Sequence, residues 1–212
     1  MNKDKHRVQL YGEVFTPERE VKAMLDLVHD ETQRIDSRFL EPACGNGNFL
    51  NEVLLRKLTV VEQRYSKNQY DFEKNAFLAV TSVYGIDILY DNIQECRDRL
   101  RKIVTNAYCR IFPNSTNDKF FDCISFVLSK NILWGDALTL LDENSKEPIM
   151  FTEWSFTRGG SVKRTEYTLC NLIGYEPYEG DSLFSDLGEE AFIPQPMKTH
   201  KTVPFMDLAC EI

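Results

Sequence analysis

Phe39-Leu40-Glu41-Pro42-Ala43-Cys44-Gly45-Asn46-Gly47-Asn48-Phe49-Leu50 is the stretch that decides the fold. Two apolar residues lead into an acid and a proline, two glycines follow one residue apart, and an amphipathic run then begins. That order predicts a short buried strand, a tight turn and a helix start, the arrangement with which α/β folds build a nucleotide pocket. Glycine at both turn positions lets the backbone approach a ligand where a Cβ would collide. The third glycine of a dinucleotide fingerprint is missing, since Phe49-Leu50 follows Asn48 and Leu50 stands at its position, which argues against a pyrophosphate cradle. A ligand with an adenosine but no phosphates fits the turn better.

Working outward, Thr16 reads as a helix N-cap with Pro17 at the first helical position. Val21, Met24, Leu25 and Val28 then share one helical face. After the glycine turn, Phe49, Leu50, Val53, Leu54, Leu58 and Val61 mark a second amphipathic helix. Residues 62–72 read as a polar loop, 73–82 as helix and 83–88 as the second strand. Ile93, Cys96, Leu100 and Val104 line one side of another helix, residues 106–118 read as a loop, and the third strand falls at 131–134. Alternating strands and helices imply a mostly parallel sheet with right-handed crossovers and a ligand beyond the carboxyl ends of the strands. Glu41, Asp87 and Asp136 then sit at corresponding strand tips around one crevice. Three carboxylates suit a ligand with hydroxyls, an ammonium and an amine edge, although Asp is also a common turn former and helix cap.

In this region the chain resembles the S-adenosylmethionine-dependent DNA adenine-N6 methyltransferases, especially the modification subunits of restriction systems. The acidic-Pro-Ala-Cys-Gly-x-Gly-x-Phe segment corresponds to the family's block around the methionine part of the cofactor. Three further blocks follow the family's order: Gly12-Glu13-Val14-Phe15-Thr16-Pro17, Tyr84-Gly85-Ile86-Asp87-Ile88 and Ile132-Leu133-Trp134-Gly135-Asp136-Ala137-Leu138. The likeness covers roughly residues 10–140. It implies a Rossmann-like methyltransferase fold with S-adenosylmethionine as cofactor. Glu41, Pro42, Ala43, Gly45 and Gly47 would surround the methionine end, Asp87 and Ile88 the ribose side, and Asp136 and Ala137 the adenine. Phe15, Thr16 and Pro17 would close over it from the N-terminal arm.

The family also carries an Asn/Asp-Pro-Pro-aromatic block at the end of strand four, which orients the target amine and stacks on the extruded base. No such block occurs in this chain. At its place stands Pro148-Ile149-Met150-Phe151-Thr152-Glu153-Trp154-Ser155-Phe156. The apolar run is read as strand four, either with Glu153 as amine acceptor and Trp154 or Phe156 as stacking surface, or with the aromatics packed inward as core. Loss of both prolines removes the rigid turn that aims a backbone carbonyl at the amine. Cytosine-C5 chemistry is disfavoured, because its nucleophile is the cysteine of a Pro-Cys pair and no cysteine here follows a proline.

Composition sets the remaining expectations. The chain has 212 residues, 42% of them hydrophobic, which argues for an ordered domain with a sizeable core. No apolar run approaches a membrane span, and the charged start, Met1-Asn2-Lys3-Asp4-Lys5-His6-Arg7, lacks a signal peptide's apolar segment, so a cytoplasmic protein is expected. Cys44, Cys96, Cys109, Cys123, Cys170 and Cys210 include no C-x-x-C pair, so neither a metal site nor disulfides are expected. Acids outnumber bases 33 to 25, for a net charge of −8, whereas DNA binding normally shows a basic face. The clearest basic run, Arg158-Gly159-Gly160-Ser161-Val162-Lys163-Arg164, reads either as a DNA contact or as a solvated hairpin. An acidic stretch at 176–190 would repel DNA or dock a basic partner.

Three segments are expected: an arm and helix over the cofactor (1–36), the methyltransferase core (37–156), and a hairpin with an acidic cap or docking tail (157–212). The sheet is expected to be incomplete on its C-terminal side, with residues 165–172 as one further strand. A DNA methyltransferase working with a DNA-binding partner subunit, in a restriction-modification or mobile-element system, is the expected function. A catalytically inactive cofactor-binding regulator and a methyltransferase for RNA or a small molecule are the alternatives.

Overall fold

The computed structural model describes residues 7–9, 13–157, 160–173 and 194–210. Gly12 of the N-terminal block, Arg158 and Gly159 of the basic run, and the acidic stretch 176–190 lie outside the described residues.

The chain is α/β. Strands β1 (Phe39–Glu41), β2 (Val83–Asp87) and β3 (Ile132–Asp136) pair in parallel in that order, and a two-residue β4 (Leu141–Asp142) runs antiparallel to β3. Ahead of β1 lie α1 (Glu18–Asp26) and α2 (His29–Gln33). The first crossover carries α3 (Asn48–Tyr65) and α4 (Gln69–Thr81), the second α5 (Tyr90–Ile111) and α6 (Asp118–Asn131). Two segments expected to be loops are therefore largely helical. Their polar residues cover the solvent side, while Phe72, Ala107 and Tyr108 turn into the core. Both later helices have side-chain caps: Asn68 accepts from the Asp71 N–H at 3.1 Å, and Asn117 from the Phe120 N–H at 3.2 Å. Pro113 accounts for the end of α5, since the residue before proline is pushed out of helical geometry, as Phe112 is (φ −123°, ψ 62°). In the N-terminal helix, Val21 and Leu25 are buried but Met24 and Val28 stay exposed.

β2 is the centre of the sheet and its side chains alternate between two packed faces. On one side α3 lies so close that a Cβ on Gly85 would stand 2.8 Å from Leu50 Cδ1. On the other, Tyr84 packs its ring against Phe151 and donates its hydroxyl to the Thr152 carbonyl at 2.8 Å. That second face is covered by another sheet, antiparallel throughout. It contains β5 (Met150–Phe156), β6 (Ser161–Thr168), β7 (Lys198–Thr199) and β8 (Val203–Pro204), with β7 and β8 both on β6.

The expected fourth parallel strand is thus one half of a hairpin, paired along its length with β6 from Met150↔Thr168 to Phe156↔Val162. The physical reason lies in the connections. A parallel addition needs a crossover, usually a helix, and between β3 and β5 the chain forms only β4 and a turn capped by Asp142. Pairing with β6 closes a short loop instead, at little entropic cost. β1 remains an edge of the parallel sheet, with Leu40 47% exposed. The other strand expected beyond the core begins earlier, at Ser161, and gives way to a short helix α7 (Leu169–Ile173); a 3-10 helix, Phe205–Cys210, packs on α6. Among the described residues no helix is long and apolar enough to cross a membrane.

Lys57 of α3 is fully buried at the amino ends of β1 and β2. Its ammonium donates to the carbonyls of Ile35 and Ser37 and to Ser82 Oγ, all uncharged oxygens. Burial brings its pKa down to about 7, with Asp36 and Glu31 pulling weakly the other way. Between about pH 7 and the ordinary lysine range the unfolded chain then binds more protons than the folded one, so stability rises with pH across that window. Lys57→Met is expected to flatten this part of the stability-pH curve, as read by urea unfolding at a series of pH values; an unchanged slope would show that another group sets it.

Candidate functional site

The glycine turn builds one wall of a crevice at the carboxyl ends of the parallel strands. Gly45 (φ +51°) and Gly47 (φ +87°) both adopt left-handed backbone that favours glycine. A Cβ on Gly45 would meet Phe15 Cε1 at 3.0 Å, and one on Gly47 would sit 2.6 Å from Cys96 Sγ. The turn is bound to the next strand by the Cys44 N–H, which donates to the Ile86 carbonyl at 2.8 Å. The Gly45 N–H donates to Asp87 Oδ2 at 2.9 Å. Asp87 Oδ1 accepts from the Leu89 N–H at 2.8 Å and from Asn92 Nδ2 at 3.2 Å. One carboxylate therefore ties together the first strand's turn, its own strand tip and the start of α5. Asp136 Oδ1 accepts from the Leu138 N–H at 2.8 Å, shaping the turn after β3. Burial raises the pKa of the Glu41 carboxyl, against a weaker opposing hydrogen bond from the Ala43 backbone.

The N-terminal arm lies across the opening. Arg7 pairs with Asp91 and Glu13, its Nε standing 2.9 Å from Glu13 Oε2, and the Arg7 hydrogen bond lowers the pKa of Asp91. Asn92 Nδ2 also donates to Glu13 Oε1 at 2.8 Å, so the same amide touches the arm and the Asp87 carboxylate. Asn48 Nδ2 holds the Thr16 carbonyl at 3.1 Å, and Arg99 braces the turn through the Asn46 carbonyl and Asn48 Oδ1. Thr16 is not the N-cap of α1: Pro17 takes that position, without a side-chain cap, and Thr16 faces the crevice.

These elements enclose a cavity of about 670 Å³, within the usual range of small-molecule sites. Phe15 and Thr16 reach it from the arm; Glu41, Pro42, Ala43 and Gly45 from the first strand tip; Asp87 and Ile88 from the second; Asp136 and Ala137 from the third. Pro17 and Gly47, expected at the cofactor, are not among its lining residues: Pro17 caps the start of α1, and a Cβ on Gly47 would meet Cys96. The sequence reading did not single out Glu13, Asn48 and Asn92, which also line it. Glu13 and Asn48 stand inside recognisable motif blocks, but nothing local to Asn48 or Asn92 marks their long-range partners. The wall carries four carboxylates (Glu13, Glu41, Asp87 and Asp136) and, among the described residues, no lysine or arginine. Such a wall favours a cation over a phosphate.

Glu153, Trp154 and Phe156 do not meet this crevice. Ile149 packs beside Gly135 near the carboxyl end of β3, whereas Ser155 and Phe156 lie with Arg38 and Ser82 at the amino ends of β1 and β2. β5 thus runs against the parallel strands and carries its far end away from Asp87 and Asp136. Glu153 pairs with Arg38 Nη2 at 2.7 Å. Trp154 is 6% exposed, set edge-on to Phe77 and Phe126, with its indole N–H donating to Asn131 Oδ1 at 2.9 Å. Phe156 meets Phe77 with ring centroids 5.6 Å apart. Of the basic run, Arg164 is buried over the Phe126 ring and beside His200 and Glu166, leaving Lys163 as its exposed charge among the described residues.

No protein-family model matches the chain, and no curated protein or solved structure matches it.

Proposed function

We propose that the crevice binds S-adenosylmethionine and that this is a methyltransferase-like protein of Rossmann-like fold, acting on adenine N6 of DNA together with a partner. The observation that carries the reading is the crevice wall on which Glu41, Asp87 and Asp136 stand at three parallel strand tips with no lysine or arginine among the described lining residues, beside a turn where a Cβ on Gly45 would crowd the Phe15 ring. A sulfonium and an ammonium complement that wall, and the polyphosphate of ATP or NAD does not. Asp87 accepts three hydrogen bonds, and with about four acceptor positions on a carboxylate it keeps capacity for a ribose hydroxyl. Glu41 suits the ammonium, Asp136 an adenine amine, and Ile88 and Ala137 the ring faces. When bound, the cofactor supplies an electrophilic methyl group. The arm, held by Arg7, Glu13 and Asn92, keeps water off it.

Adenine N6 is a weak nucleophile whose hydrogens need an acceptor. Glu153 stands at the opposite end of the strands, so the acceptor comes from the partner, which also supplies the basic surface that a chain of net charge −8 lacks. The placement of Glu153 and Trp154 favours a cofactor-holding subunit over a self-sufficient enzyme. Isothermal titration is expected to show S-adenosylmethionine binding well ahead of ATP and NAD, with affinity unchanged in Glu153→Gln. Equal binding of ATP, or none of S-adenosylmethionine, overturns the reading. Transfer to unmethylated plasmid by the chain alone, lost in Glu153→Gln, would overturn the partner's role.

A further inference from the structure

A second cavity, of about 620 Å³, opens on the far side of β3 from the glycine turn, between the parallel sheet and the β5–β6 hairpin. One part of its wall is aromatic. Tyr90 and Trp134 meet at 5.1 Å between ring centroids with a 63° interplanar angle. The Trp134 indole N–H donates to the Ile88 carbonyl at 3.0 Å, which fixes the ring's orientation while leaving it on the cavity wall.

Two cations stand on the same wall. Arg97 donates through Nε to the Ile132 carbonyl at 3.0 Å and through Nη2 to the Ser129 carbonyl at 3.3 Å. Among the described residues its Nη1 makes no hydrogen bond, and no carboxylate pairs with it. Burial lowers its pKa, with Tyr90, Cys96 and Cys44, and no carboxylate, among the opposing influences. Lys130, next in the chain to Ser129, lies over the Phe126 ring at 5.8 Å and likewise has no carboxylate partner among the described residues. The acids nearby are mostly committed elsewhere. Asp142 Oδ1 caps the turn through the Asn144 and Ser145 N–H groups, and Glu166 pairs with His200 and Arg164. Glu147 is the remaining acid on the wall, and it is exposed.

We propose that this cavity is a nucleotide subsite, with a phosphate held by Arg97 and Lys130 and a base laid on Trp134. An anion answers two cations that lack a carboxylate partner among the described residues, and a guanidinium with a free amino group is the side chain best shaped to grip phosphate oxygens. A flat, fixed indole gives a base a stacking platform. Ser129, Asn144 and Thr152 add polar groups for the sugar and base edges. The subsite stands independently of what the crevice binds, and neither Arg97 nor Trp134 lines that crevice.

Tryptophan fluorescence tests it, because the chain has two tryptophans and the other, Trp154, is buried in the core. At low salt, titration with a single-stranded oligothymidylate and separately with dTMP is expected to quench emission saturably, and Trp134→Phe is expected to abolish the quench. Arg97→Gln and Lys130→Gln should each weaken binding about tenfold by removing one charged phosphate contact. If Arg97→Gln melts early, having lost its carbonyl contacts, Lys130→Gln decides alone. S-adenosylmethionine affinity should stay unchanged in Lys130→Gln, which separates failure here from failure of the crevice reading. Quenching by the oligonucleotide alone assigns the site to a nucleic-acid strand; equal quenching by dTMP assigns it to a free nucleotide. No saturable quench from either, or affinity unchanged in Lys130→Gln, overturns the proposal.

Discussion

Trp154→Ala is expected to destabilise the chain by about 4 kcal/mol, the usual cost of emptying a buried tryptophan site. Thermal unfolding should fall by roughly 8–16 °C for a domain of this size. Two losses combine. The indole stands edge-on to Phe77 and Phe126 and closes the space between α4, α6 and β5. Its N–H also holds Asn131, whose side-chain amide donates to the Val83 carbonyl at 3.0 Å and so joins the end of α6 to the start of β2. Trp154→Phe separates the two, since it keeps an aromatic edge and leaves Asn131 Oδ1 without its donor. A cost of about 1–2 kcal/mol is expected there. Melting of Trp154→Ala within roughly 2 °C of the parent would show that the ring is not part of the core.

That expectation keeps the core reading of the same residue and drops the stacking one, and the reason is physical. The glycine turn was legible because its conformational demand is local: φ values of +51° and +87° at Gly45 and Gly47 admit little else. The strand tips followed, because an apolar run ending in an acid, after a helical stretch, has few other placements in a parallel sheet. Strand four was not legible. Met150-Phe151-Thr152-Glu153-Trp154 has the composition of a strand in either setting, and pairing with β6 or within the parallel sheet is decided by the connection, not by the strand. Helix ends failed for a related reason: the polar residues of 62–72 and 106–118 look like loop until Phe72 and Tyr108 are seen to face the core. Within the crevice, carboxylates at strand ends could be named one by one. Asn92 could not, because its value lies in touching Glu13 and Asp87 at once, 79 and 5 residues away in the chain.

Asp87→Ala is expected to weaken S-adenosylmethionine binding on the order of a hundredfold, the loss of about 2.7 kcal/mol. The carboxylate has two roles that the variant removes together. One is the contact proposed for the ribose. The other is visible in the geometry: Asp87 holds the Gly45 and Leu89 N–H groups and the Asn92 amide, so its loss leaves donors unpaired and frees the turn that forms the far wall. Asp87→Asn isolates the acceptor requirement. It is nearly isosteric, and one of its two arms must present an NH2 group, to Gly45 N–H on one side or to Leu89 N–H on the other. A donor then faces a donor, and affinity should fall almost as far as with alanine. The two roles also part in thermal shift. In the parent, ligand at 100 times Kd adds about 2.7 kcal/mol of apparent stability; the same concentration should add little to either variant. If Asp87→Ala melts early yet binds within a few-fold of the parent, Asp87 ties the turn and nothing more, and the cofactor assignment loses its ribose contact. If it melts normally and binds normally, the three hydrogen bonds do not shape the crevice at all.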